Sequence, residues 1–212
     1  MRLCPRSPLS YYSIALYSPR PQQGKTTVAR TLLDKGFELV QFSAPLRNPL
    51  YDIGLDSRHV EGELKEQPLP AEAVAKLKER GHWPTDLQMN ALVYEGKWKR
   101  GVDIITPRDF MKAKALVIGD NGLIEHARQA LKEARQRGKR VIIDDLRWPS
   151  QYSFIRAQGF GFEVWRLERP STAHAPVEDS RFEGLLEDKA FEVDIQNDGT
   201  LDDLVRKVVK TL

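Results

Sequence analysis

The stretch that most constrains this chain is Ser13-Ile14-Ala15-Leu16-Tyr17-Ser18-Pro19-Arg20-Pro21-Gln22-Gln23-Gly24-Lys25-Thr26-Thr27. A short apolar run enters a turn-rich loop that closes on Gly-Lys-Thr-Thr. Val28-Ala29-Arg30-Thr31-Leu32-Leu33 then continues with helical spacing. Strand, loop, Gly-Lys-Thr and helix, in that order, is the layout of a phosphate-binding P-loop. The order follows from the chemistry, because a helix N-terminus offers unpaired N–H groups and the positive end of its dipole to an anion. Gly24 lets the backbone come close to phosphates. Lys25 supplies a point charge for them, and the Thr26 hydroxyl can ligate Mg2+. Pro19 stands where such a loop usually has its first glycine. Neither Pro19 nor Pro21 has an N–H, so the donors must come from Gln22, Gln23, Gly24, Lys25, Thr26 and Thr27. The competing reading is a Pro-rich surface turn ahead of a helix that begins Gly-Lys-Thr.

Beyond this stretch, strands and helices alternate. Strands are predicted over 11–17, 37–42, 141–145, 161–167 and 191–195. Helices are predicted from Gly24 or Lys25 to near Gly36, from Ser43 or Ala44 onward, and over 71–80, 107–117, 122–138, 149–158 and 200–212. Val141-Ile142-Ile143 is a continuous apolar run, as a parallel strand buried on both faces requires. The pattern predicts an α/β fold over 1–212, a single domain with a P-loop NTPase-type parallel sheet flanked by helices. Residues 56–108 are richer in charge and punctuated by Pro68, Pro70, Pro84 and Pro107; they read as a helical insertion that covers the site, with 85–100 open between helix and hairpin. A charged surface without function is the alternative. Residues 170–190 are polar and too long for a tight turn, and read as a lid; a plain surface loop competes.

The bulk properties narrow the class. The 212 residues include 41% hydrophobic and 30% charged positions, as in a soluble globular domain. The net charge of +3 is too mild to argue for a stable nucleic-acid partner. Cys4 is alone, so no internal disulfide forms, which fits a reducing compartment such as the cytoplasm. His59, His82, His126 and His174 show no metal-ligand spacing. No stretch approaches the roughly 20 apolar residues of a membrane span, so no membrane partner is expected.

In open α/β sheets, ligands bind beyond the carboxyl ends of the strands. The first strand delivers the loop, and the second delivers Ser43-Ala44-Pro45-Leu46-Arg47. The strand from Val141 delivers Asp144-Asp145-Leu146-Arg147, and all three ends are expected to meet in one crevice. An acid after an apolar strand, paired with a P-loop, is a candidate for holding Mg2+ directly or through water; Asp145 is the first choice and Asp144 the second. Arg147 can reach a phosphate with a two-pronged contact or form a surface ion pair. Arg169 and Arg181 are the candidate lid arginines.

Several segments, in order, resemble the deoxynucleoside monophosphate kinases of the bacteriophage type. Phe42-Ser43-Ala44-Pro45-Leu46-Arg47 resembles that family's Phe-Ala-Asp-Pro-Leu-Lys. Val141 to Pro149, Arg166-Leu167-Glu168-Arg169-Pro170 and Asn197-Asp198-Gly199-Thr200-Leu201 resemble its second half in order and spacing. Thr106-Pro107-Arg108-Asp109 resembles its Ser-Pro-Arg segment, and Lys65-Glu66 its Lys-Glu pair. The resemblance implies transfer of the γ-phosphoryl of ATP, with Mg2+, to a deoxynucleoside monophosphate. It implies Arg108 and Arg147 near the acceptor, with Ser43, Leu46, Lys65, Asp145 and Glu183 on the same side. It implies Asn197 and Gly199 near the adenine of ATP, and Lys25, Arg147 and Arg169 as the groups that offset charge during transfer. It places the protein in the cytoplasm, that of the host if viral, and leaves a homodimer open. The Asn197 turn also resembles dephospho-coenzyme A kinases, which keeps another small acceptor open. Pro19 keeps open a degenerate P-loop protein that binds nucleotide or nucleic acid without turnover. Besides Pro19, the chain departs from the family at Gln151, where Glu is frequent, and at Phe182-Glu183, where Ser-Glu is frequent.

Overall fold

The computed structural model describes residues 12–20, 23–96, 99, 101, 103–159, 161–170, 186 and 188–212. Strand β1, Ser13–Tyr17, is buried at every position. It can be so because it is the middle strand of a five-stranded sheet. The other strands are β2 (Phe37–Val40), β3 (Arg140–Ile143), β4 (Phe162–Glu168) and β5 (Val193–Gln196), in the order β2-β3-β1-β4-β5. All four pairings are parallel, with Ile14 opposite both Ile142 and Glu163. The sheet is flanked by helices, an α/β arrangement consistent with a P-loop NTPase-like fold. β2 and β3 lie on one side of β1, and β4 and β5 on the other. The chain therefore reverses direction across the sheet at β1, and the carboxyl end of β1 is the topological switch point.

The chain forms two compact units, one built from residues up to Phe42 together with Ala127–Leu212, the other from Ser43–His126. In the first, alternate strand residues face helix α1 (Lys25–Asp34) and helix α8 (Leu201–Thr211). Ile14, Leu16, Ile142, Trp165, Leu167 and Ile195 pack there with Val28, Leu32, Leu204 and Val208. The intervening residues Ala15, Tyr17, Val141, Ile143 and Val164 are equally buried. Near them Tyr17 stacks on Phe191 at 5.5 Å, and Phe191 meets Tyr152 of helix α7 (Pro149–Ala157) edge-on at 6.5 Å. Both faces are thus apolar, as a parallel sheet requires.

The second unit holds α2 (Ala44–Asp52), α3 (Ser57–Val60), a 3-10 turn (Glu63–Glu66), α4 (Ala71–Glu79) and α5 (Asp86–Tyr94). Leu50, Val60, Ala73, Leu77 and Phe110 form its core. The stretch left open between helix and hairpin contains a helix. Thr85 caps α5, accepting from the Gln88 N–H at 3.3 Å, while the Gln88 side chain accepts from the Thr85 N–H at 2.9 Å. Helix α6 (Pro107–Gln136) carries the two helices predicted over 107–117 and 122–138, broken at Gly119, whose φ of 69° and ψ of 167° are not helical. Among the described residues, no helix is long and apolar enough to cross a membrane.

Candidate functional site

The loop after β1 reaches α1 through Gly24, which caps the helix in the left-handed conformation at φ 103°. Two constraints select glycine here. That φ strains any L side chain, and a Cβ would sit 2.8 Å from Asn197 Nδ2 and 2.9 Å from Leu204 Cδ2. The first intrahelical bond runs from the Val28 N–H to the Gly24 carbonyl at 3.1 Å. The amides of Thr26 and Thr27 therefore precede the hydrogen-bonded ladder, at the positive end of the helix dipole. A left-handed residue followed by right-handed ones turns successive N–H groups toward one concavity, an anion nest. Lys25 is half-buried and Thr26 exposed.

The loop is held from behind. Gln23, only 3% exposed, accepts on its side-chain oxygen from the Arg169 N–H. Asn197, 5% exposed, donates its side-chain amide to the Gln23 carbonyl at 3.0 Å. Its own N–H donates to the Glu168 carbonyl at 2.7 Å. The ends of β4 and β5 are thereby tied to the loop. Gly199 has a different reason to be glycine: a Cβ there would meet Asp203 Oδ2 at 2.7 Å, and that carboxylate caps α8.

At the end of β3, Asp145 is buried and its Oδ1 accepts from the Phe42 N–H at 3.0 Å. Asp144 Oδ1 accepts from the Gln41 side chain at 2.8 Å. Both acids thus clamp the outgoing end of β2 to that of β3. Because Ala15 pairs with Ile143, Asp145 follows the strand adjacent to the one that feeds the loop. Gln151, 3% exposed, accepts from the N–H groups of both Arg147 and Trp148, at 3.0 and 3.2 Å, and so fixes the backbone where Arg147 leaves the sheet. The Arg147 side chain is exposed, as is that of Arg169.

Within the unit 43–126, two of the segments singled out in the sequence meet. Arg108 pairs with Glu66, beside Lys65, and the Leu69 N–H donates to the Ile105 carbonyl at 2.7 Å. Thr106 and Asp109 cap the start of α6 reciprocally, at 2.9 and 3.1 Å, with Pro107 in the first helical position. Ser43 precedes α2 as its N-cap residue. Leu46 is buried, and Arg47 forms an ion pair with Glu61 at 2.8 Å. Tyr51 also donates to Glu61, at 3.1 Å; burial first, then the Glu61 charge, raises its phenol above the ordinary range. Glu183 and Arg181 lie outside the described residues.

No protein-family model and no curated protein matches the chain. Among solved structures, the chain is similar to TT1252 from Thermus thermophilus, at 15% identity and a TM-score of 0.46, over 95% of this chain and 96% of that one.

Spacing in the sequence singled out Gly24, Lys25, Thr26 and Asp145. It missed the contact between Gln23 and Asn197, and the bond from Asp145 to the Phe42 amide. Both join residues more than a hundred positions apart, and no local pattern reports such pairings.

Proposed function

We propose that this protein is a P-loop kinase that transfers the γ-phosphoryl of ATP to a deoxynucleoside monophosphate. The observation that carries the reading is the left-handed Gly24 opening α1 with Lys25 and Thr26, at the carboxyl end of the central strand. Such a transfer requires a cradle for the ATP phosphates and positive charge at the migrating group. An oxygen of the acceptor phosphate attacks the γ-phosphorus as the bond to the ADP oxygen breaks. The acceptor is already ionised, so the protein needs no strong base; its task is positioning and charge neutralisation.

In this reading, the amides following Gly24 hold the ATP phosphates, and Lys25 offsets the charge that develops on the migrating group. When bound, Mg2+ would supply positive charge that offsets that of the phosphates. The exposed Thr26 hydroxyl would hold it directly and Asp145 through water. That fits a cation that keeps several waters and uses few protein ligands. Arg147 and Arg169 leave the sheet as exposed cations suited to phosphate oxygens. Arg108, Lys65, Ser43, Leu46 and Glu183 enter through the family resemblance. The same holds for Asn197 and Gly199 as neighbours of adenine.

The test is ADP release with ATP and Mg2+ against each common deoxynucleoside and ribonucleoside monophosphate. Turnover with one or more deoxynucleotides is expected. Turnover with dephospho-coenzyme A alone would move the acceptor. ATP binding with no turnover on any acceptor would favour the degenerate loop to which Pro19 points.

A further inference from the structure

The proline at position 19 raises a physical question that the clamp behind the loop answers. A loop without its first glycine has fewer ways to turn its own amides toward an anion. Here the peptide unit between Gln23 and Gly24 is oriented from outside. The Gln23 carbonyl is bound by the Asn197 side-chain amide at 3.0 Å, in a buried setting. In a planar trans peptide the N–H points opposite to the C=O. With the carbonyl pinned toward Asn197, the Gly24 N–H is directed away from β5. The Gln23 side chain takes a second bond, from the Arg169 N–H, so the residue is held at both its backbone and its side chain. Asn197 also fills the space that a Cβ on Gly24 would need.

We infer that Asn197 and Gln23 are positioning residues, which set the phosphate-binding shape of the loop and do not themselves touch the nucleotide. This rests on the P-loop reading above and departs from the resemblance, which puts Asn197 beside adenine. The two roles for Asn197 differ in what its loss weakens. A residue that contacts the base affects ATP and leaves a bare phosphate chain alone. A residue that shapes the loop affects both equally.

The experiment is calorimetric titration of the full chain with Mg-ATP and, separately, with Mg-tripolyphosphate. Wild type is compared with Asn197→Leu, which keeps the approximate shape and loses the donor without adding charge, and with Asn197→Ala. Gln23→Met, which loses the acceptor for the Arg169 N–H at similar volume, is the further variant should Asn197→Leu fail to fold. The expected result is a parallel loss of roughly tenfold to a hundredfold for both ligands, the scale of one buried bond whose acceptor is left unpaired. ATP weakened with tripolyphosphate unchanged would overturn the inference and return Asn197 to the base. Unchanged affinity for both, with only the melting temperature lowered, would overturn it as well, by making the contact purely structural. Wild type binding ATP but not tripolyphosphate also overturns it, because a preshaped loop holds the bare chain. Wild type binding neither ligand would instead bring down the P-loop reading itself.

Discussion

The side chain at position 25 separates folding from chemistry. Lys25 is half-buried at the first position of α1 and belongs to neither hydrophobic core. Lys25→Ala should therefore leave the melting temperature nearly unchanged while lowering turnover by at least on the order of 10²-fold, the scale of losing a preorganised charge at the reacting group. Steady-state ADP release checks this, and turnover within a few-fold of wild type would sink the kinase reading. Arg147 separates the two ligands. Its backbone is fixed by Gln151 while its side chain is exposed. Arg147→Lys keeps the charge but loses the planar two-point contact. It should weaken a deoxynucleoside monophosphate by roughly 1–3 kcal/mol and ATP by much less; separate titrations of the two ligands measure the difference. Equal loss for both would move Arg147 to the shared phosphoryl group. At this scale the sequence was informative wherever backbone geometry restricts residue choice. Gly24 was legible in the sequence, since a left-handed cap and a close neighbour both exclude a Cβ. Asn197 was not legible in the same way, because an asparagine in a turn looks alike whether it meets a base or a carbonyl 174 positions away.

Elements add their own tests. Helix α8 begins with a reciprocal cap, in which Asp203 accepts from the Thr200 hydroxyl at 2.7 Å and the Thr200 N–H at 2.9 Å. Those two bonds, the hydroxyl first, hold the Asp203 carboxyl below its ordinary range. A carboxylate with a lowered folded pKa stabilises the fold above its unfolded value, and that contribution disappears as the pH falls through the folded one. Thr200→Ala should cost about 1 kcal/mol at neutral pH. Denaturant melts of wild type and variant should then draw closer as the pH drops below about 4 and the carboxylate protonates, leaving the share of the Asp203 N–H bond to the Thr200 hydroxyl at 3.2 Å; a gap unchanged in acid would refute the carboxylate's part in the cap. In α6, Gly119 adopts a φ/ψ pair open essentially to glycine alone. Gly119→Ala should cost roughly 1–3 kcal/mol, although no atom lies within 4 Å of the added Cβ. An unchanged denaturation midpoint would show that the break relaxes into a continuous helix. Most elements were legible because their signals are local: apolar runs for β1 and β3, Thr-Pro for the start of α6, Gly36 after α1. The short α3 and the 3-10 turn were not, since a few residues show no periodicity and are held by Asp56 capping and by the packing of Val60.

Across the whole molecule, each unit has a core of its own. Leu77 is fully buried in that of residues 43–126, and Ile142 in that of the sheet. Leu77→Ala should cost about 2–5 kcal/mol, against roughly 0.5–1.5 kcal/mol for Ile142→Val. Hydrogen exchange should show whether the first loss stays within 43–126; protection lost equally throughout the sheet would mean that the two cores melt as one. The sequence made the sheet class plain through continuous apolar strands. Strand order was not legible, because composition does not say which buried strand neighbours which.

The central place of β1 has a consequence for how the protein comes into being. β1 has no neighbour until Ser13 finds Val141 or Phe162, and it is central only once it has found both. A ribosome adding about 5–20 residues per second leaves Ile14, Leu16 and Tyr17 without those partners for on the order of ten seconds. Assembly of the sheet therefore waits on the second half of the chain, and pairings this distant in sequence make refolding from denaturant slow, in milliseconds to seconds at best. β1 is made before either strand that it pairs with and is among the last elements able to take its final place.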